Sequence, residues 1–207
     1  MSDVQRPRGD AMSTWLMVDI ETMSTEPDAS ILSIGAVGFS PFIIDQFMGE
    51  PFYINVSLRS NADYDRHLSA DTMEFWLKQR TEALRAMFEG EVTNLKQACK
   101  RFRMWAESLK PRVTHIMAND PDFDVVILKQ AFNACGEVWP WGFWCNRSYR
   151  TWTELAYPDP DERRELLARC RGEGVHHNAG DDAKAQALCV QHCYQMLRSG
   201  EAFNGHE

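Results

Sequence analysis

Trp15-Leu16-Met17-Val18-Asp19-Ile20-Glu21 is a short apolar run, partly β-branched, that closes on two carboxylates. A run of this length reads as a buried central strand with acidic residues at its end. Side chains alternate along a strand, so Asp19 and Glu21 share one face while Ile20 enters the opposite layer. Beyond it, residues 31–39 read as a second strand, with Gly35 and Gly38 permitting close backbone approach, and residues 51–58 alternate as a third. Three successive strands predict a meander.

Helices follow. Ser69 is placed to cap a helix over 70–78, Thr81 one over 82–88, and Thr93 or Asn94 a longer one through Leu109 that Pro111 stops. Residues 113–118 read as a fourth strand, leading through Asn119-Asp120-Pro121-Asp122 into an apolar helix from about 122 to 134, with Gly136 at its end. The aromatic stretch 139–150 predicts a short fifth strand around 143–145, followed by a helical turn over 151–156. The charged segment 161–171 reads as a solvated helix or loop, or as a basic surface of Arg163, Arg164, Arg169 and Arg171. A last helix over 179–198 spaces Ala183, Ala187, Val190 and Tyr194 as a buried face. Strands first, then alternating helix and strand, predict one α/β domain over 15–198, with a mixed central sheet flanked by helices and tails at 1–14 and 199–207.

Composition agrees. The 207 residues suit a single domain with a full core. No apolar run reaches the length of a membrane span, and residues 1–10 are polar, so a soluble cytoplasmic protein without membrane partners is expected. The six cysteines form no Cys-x-x-Cys pair and are expected to be free thiols, although Cys189, Cys193 and the neighbouring His192 are spaced to help clasp zinc. The net charge of −8 is unusual for a protein approaching a polyanion, but two divalent ions would bring it to about −4. That balance favours engagement of a chain end over tracking along a duplex.

Three separated pieces carry the chemistry: Asp19 and Glu21, then Asp122 or Asp124, then His177 with Asp181 or Asp182. Together they supply four carboxylates and one imidazole. Hydrolysis of a phosphodiester needs an activated water and a counter-charge on the leaving oxygen, which two cations about 3.5–4 Å apart provide. Hard ions such as Mg²⁺ and Mn²⁺ prefer oxygen ligands. Crowded carboxylates repel one another, so without cations at least one pKa is expected to rise. His177 adds a nitrogen base suited to accepting a proton near neutral pH. An Asp-x-Glu triplet is expected about once in a chain of this size, whereas His-x-Ala-x-x-Asp is expected by chance in only about a few per cent.

Asp19 and Glu21, Asp124 after Phe123, and His177-x-Ala179-x-x-Asp182 resemble the motifs of the DnaQ-like, or DEDDh, 3′-5′ exonucleases of the ribonuclease H-like fold. The resemblance covers about residues 15–198. It implies that Asp19 bridges two Mg²⁺ or Mn²⁺ ions, that Glu21 and Asp182 complete one site, that Asp124 holds the other, and that His177 is the general base. It selects Asp124 over Asp122 and Asp182 over Asp181, with His176 fitting only in a register shifted by one. Residues 72–79 and Arg150-Thr151 are similar to a bacterial and phage branch related to a mycobacterial exoribonuclease-like domain. That likeness makes Trp76 a candidate to stack on a terminal base and Gln79 a polar contact, with Asn119, Arg147 and Arg150 as further candidates toward substrate. The implied activity is release of nucleoside 5′-monophosphates from the 3′ end of single-stranded or overhanging DNA or RNA. The rivals are a catalytically idle nucleic-acid-binding module, a structure-selective endonuclease and a zinc-binding structural protein. The aromatic residues between 139 and 152 suit a homodimer face.

Overall fold

In the computed structural model, which describes residues 13–79 and 91–200, β1 (Thr14–Thr22), β2 (Ile31–Phe39) and β3 (Phe47–Val56) form the antiparallel meander. The short β4 (Val92–Thr93) lies parallel to β3 at one edge. On the other side of β1, β5 (Val113–Ala118) pairs with it in parallel and carries β6 (Asn146–Ser148), again in parallel. The sheet order is therefore β4-β3-β2-β1-β5-β6, with β1 inside. A strand covered on both faces must be apolar on both, which explains the continuous run before Asp19.

Among the described residues the helices are α1 (Leu58–Ala62), α2 (Ala70–Leu77), α3 (Leu95–Ser108), α4 (Asp124–Ala134), α5 (Tyr149–Ala156), α6 (Pro160–Arg171) and α7 (Ala179–Ser199). Strand alternation divides them between two layers. Leu16, Val18 and Ile20 belong to a cluster with Leu95 and Phe102 of α3 and Leu128 and Phe132 of α4. Trp15 and Met17 belong to a second, with Tyr149 of α5, Leu166 of α6 and Ala183, Ala187 and Val190 of α7. Asp19 and Glu21 continue the second face of β1, so the acidic end of the strand emerges on the side of α7.

The departures from expectation are local. The fifth strand sits at Asn146–Ser148, because residues 143–145 close a 3-10 turn in which the Cys145 amide donates to the Gly142 carbonyl at 2.9 Å. The segment expected as a helical turn is the full helix α5. The charged segment is helix α6, capped by Asp159 and started by Pro160. Ser69 occupies the N-cap of α2 without bonding through its side chain, whereas Asn94 Oδ1 accepts from the Gln97 amide at 2.9 Å. β4 and α1 are too short to leave a periodic signal. The helix expected over 82–88 lies outside the described residues. All six cysteines are free, and among the described residues no helix is long and apolar enough to cross a membrane.

Candidate active site

Gly35 determines how α7 reaches the acidic end of β1. It lies directly across from Asp19 in the β1–β2 register. A Cβ built there would fall 2.1 Å from the carbonyl carbon of Ala179 and 2.3 Å from the Gly180 amide nitrogen. Only glycine lets the first turn of α7 rest on the sheet at this point. The helix start is fixed by Asn178, whose Oδ1 accepts from the Gly180 and Asp181 amides. Asp182 is thereby brought to Asp19 and Glu21, and ligand atoms of all three lie within 4.8 Å of one another.

The third piece arrives from the end of β5. Asp124 opens α4, is buried, and accepts from the Ile20 amide at 3.3 Å, which ties it to β1 between the two acidic residues. Asp122 is exposed. Asp181 is turned away, accepting from the Val175 amide at 2.8 Å. Asp182 receives the His177 amide on Oδ2 at 2.8 Å and Arg171 on Oδ1, from Nε at 3.0 Å and Nη2 at 2.9 Å. His177 adopts a left-handed φ of 64°, an uncommon conformation for a non-glycine residue. Its ring meets Phe75 and Trp76 of α2 edge-on, at 5.4 and 5.8 Å between centroids.

These residues line one cavity of about 350 Å³: Asp19, Glu21, Asp124, Asp182, His177, Asn119 and Arg150 are all in its wall. Three other expected contacts fall elsewhere. Trp76 is 4% exposed and its indole N–H donates to the Thr22 carbonyl at 2.8 Å, so its ring belongs to the packing under His177 and presents no face for a base. Gln79 folds back onto its own helix, donating to the Phe75 carbonyl at 3.2 Å. Arg147 lies outside the cavity, with Nη1 on the carbonyls of Trp144 and Asn146. Of the basic surface expected on α6, three residues are engaged within the fold, Arg163 with the Tyr157 and Pro158 carbonyls, Arg164 with Asp161 and Arg171 with Asp182, while Arg169 is exposed.

Burial raises the pKa values of Asp19, Glu21 and Asp124, and neighbouring carboxylates add to the shift. Burial, with Asp19 and then Asp182 and Asp124 nearby, pushes Glu21 up to about 10. Burial, reinforced by Asp124 and Asp182, holds Asp19 well above the usual carboxylate range. Burial raises Asp124 to about 7 against the opposing pull of the Ile20 amide. Burial lowers His177, and the adjacent His176 adds to the shift, leaving a neutral imidazole at pH 7. A buried cluster of this kind is unfavourable without cations. Three converging carboxylates, beside an imidazole, have the chemistry of a site for hard divalent ions. Among the described residues the cysteines enter no such cluster, which removes the support for zinc at Cys189 and Cys193.

Two contributors were invisible to motif reading. Gln186 Nε2 donates to Asp19 Oδ1 at 2.9 Å and orients it; its position four residues after Asp182, hence on the same face of α7, is the signal that marks it. Arg171 precedes Asp182 by eleven residues across a glycine-containing turn, a separation with no periodic signature.

A family model described as the 3′-5′ exoribonuclease Rv2179c-like domain matches residues 14–194. No curated protein matches. Among solved structures, cell-death related nuclease 4 (CRN-4) aligns with a TM-score of 0.56 at 16% identity, covering 92% of this chain and 65% of that one, so the chain spans about two thirds of its length. The nuclease domain of 3′hExo, a DEDDh family member solved bound to rAMP, aligns with a TM-score of 0.56 at 15% identity over 91% of this chain and 94% of that one. A full-length 3′-exonuclease aligns with a TM-score of 0.54 at 14% identity over 91% and 83%. What these three structures share with the chain is the fold.

Proposed function

Because the chain belongs to the Rv2179c-like 3′-5′ exoribonuclease domain family, we propose that it is a metal-dependent 3′-5′ exonuclease that acts on single-stranded RNA ends and releases nucleoside 5′-monophosphates. The observation that carries this reading is the convergence of Asp19, Glu21 and Asp182 within 4.8 Å, in one cavity with Asp124 and His177. Asp19, Glu21 and Asp182 would hold one Mg²⁺ or Mn²⁺, and Asp19 with Asp124 a second. Such a pair supplies an activated water and neutralises the charge that grows on the leaving oxygen. His177, neutral at pH 7, accepts the proton of the attacking water. Asn119 and Arg150 lie at the mouth formed by the end of β5, where an arginine suits a phosphate. Phe75 is exposed beside His177 and takes the base-stacking role expected of Trp76.

The test is a gel time course with RNA and DNA oligonucleotides labelled at either end, a circular single strand, and Mn²⁺ against EDTA. The expected result is a cation-dependent ladder from the 5′ label, immediate mononucleotide release from the 3′ label, faster turnover of RNA, and an intact circle. Cleavage of the circle would replace this reading with an endonuclease, and activity persisting in EDTA would remove the metal from it.

Arg171 leads to a separate expectation. Its guanidinium lies on Asp182 Oδ1, where it offsets the acidic cluster and competes with a cation for the same oxygen. Arg171→Gln should therefore bind Mn²⁺ tighter, by about tenfold, the equivalent of one buried charged contact. In EDTA the variant should melt below the parent, and saturating Mn²⁺ should close that gap. Calorimetric titration and thermal melts check this; an equal deficit with and without Mn²⁺ would make Arg171 a purely structural residue.

A further inference from the structure

A second cavity, of about 740 Å³, opens where β5 runs beyond its neighbour. β6 pairs only with Ile116, Met117 and Ala118, which leaves Val113 to His115 as an uncovered strand edge. The acidic centre lies past the C-terminal end of β5 and this groove at its start; Trp15, which pairs with His115, precedes Asp19 by four residues, a rise of about 13 Å. The groove wall contains Arg112, Arg147 and His115 and, among the described residues, no carboxylate, in a chain whose net charge is −8. Arg112 is exposed and makes no ion pair with the described residues. The Arg147 guanidinium lies 6.0 Å over the Trp15 ring and uses Nη1 on backbone carbonyls, leaving its other N–H groups for a ligand.

The aromatic part of the groove is built as a platform. A Cβ on Gly142 would lie 2.4 Å from carbons of the Trp144 indole, so the ring rests flat against the glycine. That ring is nevertheless 63% exposed. Phe143 meets its edge at 5.2 Å between centroids, and Trp141 lines the groove beside it. One supported face and one open face, between two arginines, is the arrangement that stacks a nucleobase while its flanking phosphates are held. We propose that this groove is a second binding site for single-stranded nucleic acid, in which Trp144 stacks a base and Arg112 and Arg147 hold the adjoining phosphates. The proposal rests on the nuclease reading above and names the route by which the body of a long strand is held while its 3′ end occupies the acidic centre. A second copy of this chain is the other occupant that an aromatic strand edge would accept.

The test compares the full chain with Arg112→Glu, Trp144→Ala and Gly142→Ala, the last displacing the ring without removing it. Fluorescence anisotropy with a labelled long oligouridylate in EDTA reads binding without cleavage, and hydrolysis of a dinucleotide with Mn²⁺ reads the acidic centre alone. The expected result is weaker oligouridylate binding by about tenfold in each variant, unchanged dinucleotide hydrolysis, and for Arg112→Glu a salt slope of log K shallower by about 0.7, one phosphate contact on a single strand. Oligouridylate affinity equal to that of the parent would overturn the proposal. So would light scattering that shows a dimer in the parent and a monomer in the variants, which would assign the groove to a second copy. A parent that hydrolyses neither substrate refutes the nuclease reading itself, an outcome distinct from failure of the groove alone.

Discussion

Asp19→Asn should abolish turnover, by on the order of 10⁴-fold or about 5 kcal/mol of transition-state stabilisation, while making the metal-free protein more stable. The two effects have one origin. Asp19 is the carboxylate shared by the rest of the cluster: its pKa is raised by burial and by Asp124 and Asp182, and Gln186 orients it. Asparagine keeps the shape and the Gln186 hydrogen bond but cannot ionise, so both proposed cation sites lose a ligand and the cost of burying an ionisable group in the metal-free cluster falls. The melting temperature in EDTA should rise by about 2–4 °C for each kcal/mol relieved in a domain of this size. In saturating Mn²⁺ the order should reverse, because the parent gains binding energy that the variant lacks. Steady-state kinetics and paired melts measure this; a variant that is inactive and equally destabilised under both conditions would indicate a folding defect.

His177→Asn should cost on the order of 10³-fold in turnover and leave Mn²⁺ affinity within about a factor of two. Asparagine tolerates the left-handed φ of 64° better than most residues, so the exchange removes the base without adding backbone strain. The contact that His177 makes with the cluster is through its backbone amide to Asp182 Oδ2, which the substitution leaves in place. Pre-steady-state kinetics beside calorimetric Mn²⁺ titration separate the roles. Parallel loss of affinity and rate would make His177 a ligand instead of a base.

The legible parts of this fold are those with a strong local signal. β1, β2 and β5 are long apolar runs, and their predicted bounds differ from the observed ones by two residues or fewer. The acidic residues were legible because motif spacing survives the folding of the chain between them. Gly35 was legible as a point of close approach, although which backbone approaches it was not. Trp76 was misjudged because an aromatic on a short helix gives no sign of which side is buried; the Thr22 carbonyl that holds it is 54 residues away. Arg147 pairs opposite Met117, yet its side chain lines the groove with Arg112 and His115 and not the acidic cavity, a direction that no sequence pattern sets. Arg171 depends on the conformation of a glycine turn that local propensity does not determine.

The central claim is that Asp19, Glu21, Asp124 and Asp182 form a two-cation centre, and calorimetric titration of Mn²⁺ into metal-free protein at pH 7.5, repeated in buffers of different ionisation enthalpy, tests it most directly. Folded pKa values raised above the unfolded ones mean that the native state holds extra protons, so the stability of the metal-free protein falls as pH climbs from about 4 toward the value near 10 reached by Glu21. Cation binding must displace those protons. The account predicts two ions per chain, at least about one proton released on saturation, and loss of both signals in Asp19→Asn. Binding of one ion or none, or binding without proton release, would contradict it.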